Sequence, residues 1–231
     1  MGAEAGLSAQ AAHGEPVTLV GPLEGAELWA ASYDLTPNPV LALEMRCAGP
    51  QLAGVRSLLD VGCGTGRWIR WAQERGIRAF GFDASRAMLR NGLRGHCAQA
   101  TMTRLPIRAN AADVAVCSFV LSYVPDMGEA FSELARIASK VLVSDLHPAA
   151  EAAGWKRGFR VAREAYELDH ICYSIEQLDS AAASAGLTRR WRTEACFGEP
   201  ERRFFVEAGK AADFDTTSKI PAILATLWER E

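Results

Sequence analysis

Apolar and polar positions along the chain follow two alternating periods. Largely apolar runs, the pattern of strands covered on both faces, lie within 57–61, 78–82, 113–118 and 141–144. Between them lie stripes at helical spacing, with Val40, Leu43 and Cys47 on one and Met127, Phe131, Leu134 and Ala138 on another. Punctuation sets the ends. Asn38-Pro39 supplies a cap and a proline at the first helical position. Ser85 caps a short helix ending at Gly92, and Asp126 with Glu129 and Ser174 with Gln177 make capping signatures. A further helix is expected over 66–74, closed by Gly76, and a short strand around 96–100. Residues 190–196 and 202–207 are spaced to pair as a terminal antiparallel hairpin, and 220–228 reads as a short amphipathic helix docked on the sheet. Strands alternating with helices imply an α/β fold, a seven-stranded, mostly parallel sheet with helices on both faces and a C-terminal antiparallel hairpin.

Length and charge narrow the class. The 231 residues suit one domain with decorations, expected over 24–231, with 1–23 as a poorly ordered tail and a lid or acceptor insertion around 148–173. In that insertion, Trp155, Lys156, Arg157, Phe159, Arg160, Arg163, Tyr166, His170 and Tyr173 interleave aromatic and basic residues that could close over a planar or anionic acceptor, while most of the arginines read as the solvated basic face of an amphipathic helix. A net charge of −3 argues against a nucleic-acid-binding surface. The six cysteines form no C-x-x-C pair and have no histidine at metal spacing, so they read as reduced thiols of a cytoplasmic protein without a metal site. There is neither a membrane-spanning run nor a signal-peptide pattern. The oligomeric state stays open between monomer and dimer.

The chemistry gathers at strand ends. The strand 57–61 runs directly into Gly62-Cys63-Gly64-Thr65-Gly66. Glycines at alternate positions let the backbone turn and approach a ligand, and the helix behind them aims N–H groups at it. Asp83 ends the second strand about twenty residues on, where an acid can hold both ribose hydroxyls. Ser118 and Asp145-Leu146-His147 follow two further strands. In a sheet of this kind ligands bind at such ends.

Asp60-Val61-Gly62-Cys63-Gly64-Thr65-Gly66, Gly81-Phe82-Asp83 with Ser85 and Met88, Leu105-Pro106 and the strand 113–118 together resemble the ordered motifs of class I S-adenosylmethionine-dependent methyltransferases. The resemblance covers about residues 33–147, and its flavour is that of the small-molecule group that includes the ubiquinone and menaquinone biosynthesis enzymes. It implies a Rossmann-like fold, S-adenosylmethionine as cofactor, S-adenosylhomocysteine as product and a small-molecule acceptor. Gly62, Cys63, Gly64 and Gly66 would line the cofactor, Asp60 would reach its amino group and Asp83 its ribose. Ala84 would flank the adenine and Met102 would contact it. Thr101 stands where the family usually has an acid for the adenine amino group. Ser118, Phe119 and Ser122 would meet the methionine part and the acceptor pocket, with Tyr33 as a lid. Arg67 would meet the cofactor carboxylate or point to solvent. His147 is the candidate general base toward an oxygen or acidic-carbon acceptor, and His170 a weaker one. Two other readings stand beside this one: a binding module without chemistry, and a nicotinamide-dependent oxidoreductase, which the loop spacing disfavours.

Overall fold

The computed structural model describes residues 16–231. Strand β1 (Val17–Val20) and helix α1 (Pro22–Trp29) come first, then α2 (Pro39–Ala48), which Asn38 caps by accepting from the Val40 N–H at 2.9 Å. The central alternation is β2 (Ser57–Val61), α3 (Arg67–Gln73), β3 (Arg78–Asp83), α4 (Arg86–Asn91), β4 (Cys97–Gln99) and β5 (Ala112–Ser118). It continues through α5 (Met127–Ile137), β6 (Ala138–Leu146), α6 (Pro148–Ala152), β7 (Gly158–Val161) and β8 (Glu164–Leu168). The chain closes with α7 (Ile175–Ser184), β9 (Leu187–Ala195), α8 (Glu199–Glu207), α9 (Phe214–Thr217) and β10 (Ile223–Arg230).

Seven strands make the main sheet in the order β4-β3-β2-β5-β6-β10-β9. The first five run parallel, and β10 is antiparallel to both β6 and β9. The chain leaves β2 toward one edge and returns to the other side of β2 with β5. The carboxyl ends of β2 and β5 therefore flank the crevice where strand order reverses, the ligand position in such sheets. Apolar side chains cover both faces: Phe131, Leu134, Val141 and Trp228 belong to one core, and Leu52, Leu58, Trp68 and Leu227 to the other.

The hairpin exists, but its second strand is not the expected one. Residues 202–207 lie in α8, which starts at Gly198 with Pro200 and Glu201 in its first turn, as helices prefer. The partner of β9 is β10, within the segment read as an amphipathic helix. Ile223 to Trp228 are all buried, because β10 lies inside the sheet between β6 and β9. An apolar run covered on both faces shows no period by which strand and helix could be told apart.

Two further expectations are corrected. The insertion 148–173 is not one amphipathic helix: after the short α6, β7 and β8 form an antiparallel hairpin. Within the stretch expected to be a tail, Val17–Val20 form β1, which pairs in parallel with β8 and makes a small second sheet, and α1 begins at Pro22. The rest of that expected tail, 1–15, lies outside the described residues.

Candidate cofactor and acceptor site

A cavity of about 770 Å³ opens over the carboxyl ends of β2, β3 and β5, within the ~300–1,000 Å³ usual for small-molecule sites. Asp60, Gly62, Cys63, Gly64, Asp83, Ala84, Thr101, Met102, Ser118 and Tyr33 all line it. Gly66 does not. It caps α3 with φ 91°, and its N–H donates to the Cys63 carbonyl at 2.8 Å, so its part is the turn itself. Ser122 also lies apart, against a small second cavity.

The loop is built by close approach of backbones. The Gly62 and Cys63 N–H groups both donate to the Phe82 carbonyl, at 2.7 and 2.9 Å, which pins the loop to the end of β3. Gly62 has φ 81°, and a Cβ there would stand 2.4 Å from a Val120 methyl. At Gly64, φ 53°, a Cβ would meet no protein atom within 4 Å; it would project into open space beside the loop. Asp83 joins loop and helix, since its Oδ2 accepts from the Gly64 N–H at 2.7 Å and its Oδ1 from the Ser85 N–H at 2.8 Å. Burial raises the Asp83 pKa, and those hydrogen bonds to the charged form oppose the rise. Asp60 is almost fully buried, and desolvation pushes its pKa up to about 7 against the pull of Arg67. Both acids suit a cationic or hydroxyl-bearing ligand, which would stabilise their charged forms.

Arg67 does not point to solvent. Its Nη2 lies 2.5 Å from Oε2 of Glu44 and donates to Ser118 Oγ at 2.7 Å. Glu44 is completely buried, and its Oε1 also accepts from the Ser118 and Ser144 hydroxyls. Sequence reasoning missed Glu44. The signal was a carboxylate between Leu43 and Cys47, on the stripe that faces the core.

The far side of the cavity is covered by the N-terminal segment and the small sheet. Trp29 stacks on Phe159 at 4.8 Å and meets the Tyr33 edge at 4.9 Å. Asp34 accepts from the Thr65 hydroxyl at 2.9 Å, tying this cover to the glycine loop. Glu27 of α1 accepts from the Ser85 hydroxyl at 3.0 Å. Burial pushes the Tyr33 pKa up to about 12 and raises that of Tyr123, so both are neutral phenols on the cavity wall. Arg157 lies over the Tyr123 ring and pairs with Asp145. Burial, the largest single influence, would lower its pKa, but the charges of and hydrogen bonds to Asp145 and Tyr123 together outweigh it and raise the pKa.

His147 lies away from the cavity wall, although Leu146 belongs to it. Its Nδ1 accepts from the Ala149 N–H at 3.0 Å, capping α6, which leaves the proton on Nε2, 3.0 Å from a Glu194 oxygen. With this lone pair taken by the Ala149 N–H, the ring presents no acceptor to the cavity in this arrangement. His170 faces two acceptors, the Leu168 carbonyl at 2.9 Å and Glu151 at 3.2 Å, so both ring nitrogens donate. Its pKa is raised, chiefly by the Glu151 hydrogen bond, and it too stands outside the cavity.

Comparison with known proteins agrees with this geometry. Residues 59–142 match the family described as a methyltransferase domain. A malonyl-[acyl-carrier protein] O-methyltransferase of Serratia marcescens is 31% identical over 118 residues, which cover 47% of this chain and 44% of that protein. The chain thus spans less than half the length of that relative. An S-adenosylmethionine-dependent methyltransferase structure from Mesorhizobium loti aligns over 90% of this chain and 100% of its own, with TM-score 0.59 and 21% identity. The [4+2]-cyclase SpnF aligns over 83% and 80%, with TM-score 0.53 and 19% identity, and shares the fold. Residues 59–142 thus match a methyltransferase domain, and the solved structures share the fold in which it sits. The methyl donor of such a domain is S-adenosylmethionine, and the open loop at Gly64 with the buried Asp60 and the half-buried Asp83 fits it.

Proposed function

We propose that this protein transfers a methyl group from S-adenosylmethionine to an acidic oxygen of a small organic acceptor, a carboxylate being the reading favoured here. One observation carries it: a single cavity joins the glycine loop and Asp83 to a largely apolar wall on which, among the described residues, no histidine stands. The cofactor supplies an electrophilic methyl group, and the chain's own residues bind, orient and desolvate the reactants. In-line displacement draws much of its rate from such positioning and desolvation. Tyr33 and Tyr123, held as phenols, can donate hydrogen bonds but are poor proton acceptors near neutral pH. Among the described residues neither His147 nor His170 reaches the cavity. A nucleophile that arrives already ionised needs no base, and a carboxylate is such a nucleophile. Arg157 beside Tyr123 offers a cationic surface to orient it, while Trp29, Leu23 and Leu168 would cover an apolar remainder. The likeness to an O-methyltransferase that acts on a malonyl group supports an oxygen acceptor.

The test is transfer from methyl-labelled S-adenosylmethionine to a panel of half-thioesters of dicarboxylic acids, phenols and amines. Label appearing as a methyl ester, released by mild base, is the expected result. Base-stable label would assign nitrogen, carbon or phenolic oxygen instead. Cofactor binding without transfer to any acceptor would favour a binding module.

A further inference from the structure

The chain carries a net charge of −3, yet residues 84–112 contain five arginines, one histidine and no acidic residue. Arg86, Arg90, Arg94, Arg104 and Arg108 are all exposed. Most other arginines are paired, as Arg46 is with Glu201, Arg136 with Glu133 and Arg192 with Asp179. Among the described residues none of these five makes an ion pair. We propose that this arginine surface docks a small acidic protein that carries the acceptor as a thioester on a flexible arm; this rests on the acceptor reading above. Three observations support it.

The first is position. Ala84 and Thr101 line the cavity and are exposed, as is Leu23, so the cavity opens to solvent beside them. Arg86 and Arg90 follow Ala84 on α4, and the Arg104 N–H donates to the Thr101 carbonyl at 3.2 Å. None of the five arginines lines the cavity. A protein resting on them stands beside the mouth, and only its arm enters. The second is the kind of surface. Arg86 and Arg90 stand four residues apart on α4 and so share one face, which matches the carboxylates of an acidic helix. No large apolar side chain is exposed between Ala84 and Arg108. A contact made through charge forms quickly and gains little from apolar burial, as suits a carrier that leaves after each turnover. The third is the boundary. Asp126 and Glu129 are exposed on the rim of the same cavity, and Glu24 and Glu27 are exposed on α1. A nucleic-acid strand or a flat anionic membrane, each broader than the arginine surface, would also meet these acids. A small acidic protein can meet the arginines alone.

The experiment compares acceptors that share one reacting group: malonyl and succinyl half-thioesters of free pantetheine, and the same two on the phosphopantetheine arm of an acidic acyl carrier protein. Transfer from methyl-labelled S-adenosylmethionine is measured at about 50 and about 300 mM salt, which span weak and strong screening. The wild-type protein should use a carrier-bound acceptor with kcat/KM at least tenfold higher at low salt, an advantage lost at high salt. Arg86→Glu/Arg90→Glu, with folding checked by circular dichroism, should lower kcat/KM for the carrier-bound acceptor at least tenfold, through KM. It should leave the free half-thioester and the S-adenosylmethionine dissociation constant within twofold of wild type. Arg163→Glu/Lys219→Glu, the same change in net charge at exposed positions elsewhere, should act less than threefold. Should free and carrier-bound acceptors be used equally well, or should the two double variants act alike, the proposal is overturned while methyl transfer stands. Binding of a short RNA or of anionic phospholipid vesicles, tighter than that of the carrier protein and abolished by Arg86→Glu/Arg90→Glu, would assign the surface to that partner and overturn it as well. Failure of both half-thioesters in both forms removes the acceptor reading and this proposal with it.

Discussion

The floor of the cavity and its cover are built from different kinds of contact. On the floor, from Gly62 to Ser118, backbone meets backbone or carboxylate: Gly62 and Cys63 on the Phe82 carbonyl, Asp83 on the Gly64 and Ser85 N–H groups. The cover, from Val17 to Leu168, is held by aromatic faces and by strand pairing of β1 with β8, with polar ties at Asp34 and Glu27. Polar contacts with narrow geometry hold a shape to a fraction of an ångström. Apolar contacts are non-directional and tolerate repacking. The floor therefore suits an unvarying cofactor, and the cover suits an acceptor pocket that can differ between proteins of one fold.

The sharpest way to break the comparison is at Gly62. Alanine there must adopt φ 81° and place a methyl 2.4 Å from Val120. Strain and overpacking together predict about 2–5 kcal/mol of lost stability and abolished cofactor binding, read by thermal denaturation and calorimetry. Gly64→Ala should by contrast cost little stability beyond its φ strain, because its Cβ enters open space, yet should weaken the cofactor at least tenfold. If both variants lost stability alike, the loop would be a packing device and not a binding surface.

On the cover, Trp29→Ala removes the stack on Phe159 and should cost about 3 kcal/mol if the site collapses poorly. Its kinetic effect should fall mainly on the acceptor KM, with the dissociation constant of S-adenosylmethionine changed less than threefold. An equal loss in both would mean that floor and cover act as one unit.

Asp60 sharpens the comparison through pH. With the pKa near 7 in the cofactor-free protein, the carboxyl must ionise to receive an ammonium. Affinity should therefore rise with pH below about 7, by up to tenfold per unit, and level off above it. Stability of the cofactor-free protein runs the other way. The folded pKa lies above the ordinary 3.8, so the contribution of this group is full at low pH and is lost as pH rises through about 7. Asp60→Asn should flatten both profiles, measured by calorimetry and denaturant unfolding between pH 5.5 and 8.5.

The smallest effect is expected at His147. Replacement by alanine removes the cap on α6 and should cost about 1 kcal/mol, with turnover within threefold of wild type. A loss of a hundredfold or more in kcat, with the fold intact, would restore this residue to the chemistry.

Much of the floor is legible in the chain because its logic is local. A strand, three glycines and a capped helix lie within a dozen positions, and each follows from backbone geometry that neighbours in sequence impose. Asp83 follows from the length of one helix and one strand. The end of β6 shows where such reading stops: Leu146 reaches the cavity and His147 does not, because β6 ends at Leu146 and the His147 side chain turns back to cap α6. Position near a strand end was readable, but which of the two neighbours faces the ligand depends on where β6 stops and α6 begins.

The sequence by itself determined the alternating α/β order, the parallel core strands, the loop and the capping residues at Asn38, Ser85, Asp126 and Ser174. These rest on periods and on hydrogen bonds that span three or four residues. Tertiary structure alone decided that β10 is a strand, since only burial between β6 and β9 separates it from a helix of the same composition. It also decided that β1 and β8 meet across more than a hundred residues, and that Glu44 sits in the core beside Arg67, Ser118 and Ser144. A charge can be buried there because partners from three distant segments arrive together, and no window along the chain contains them all.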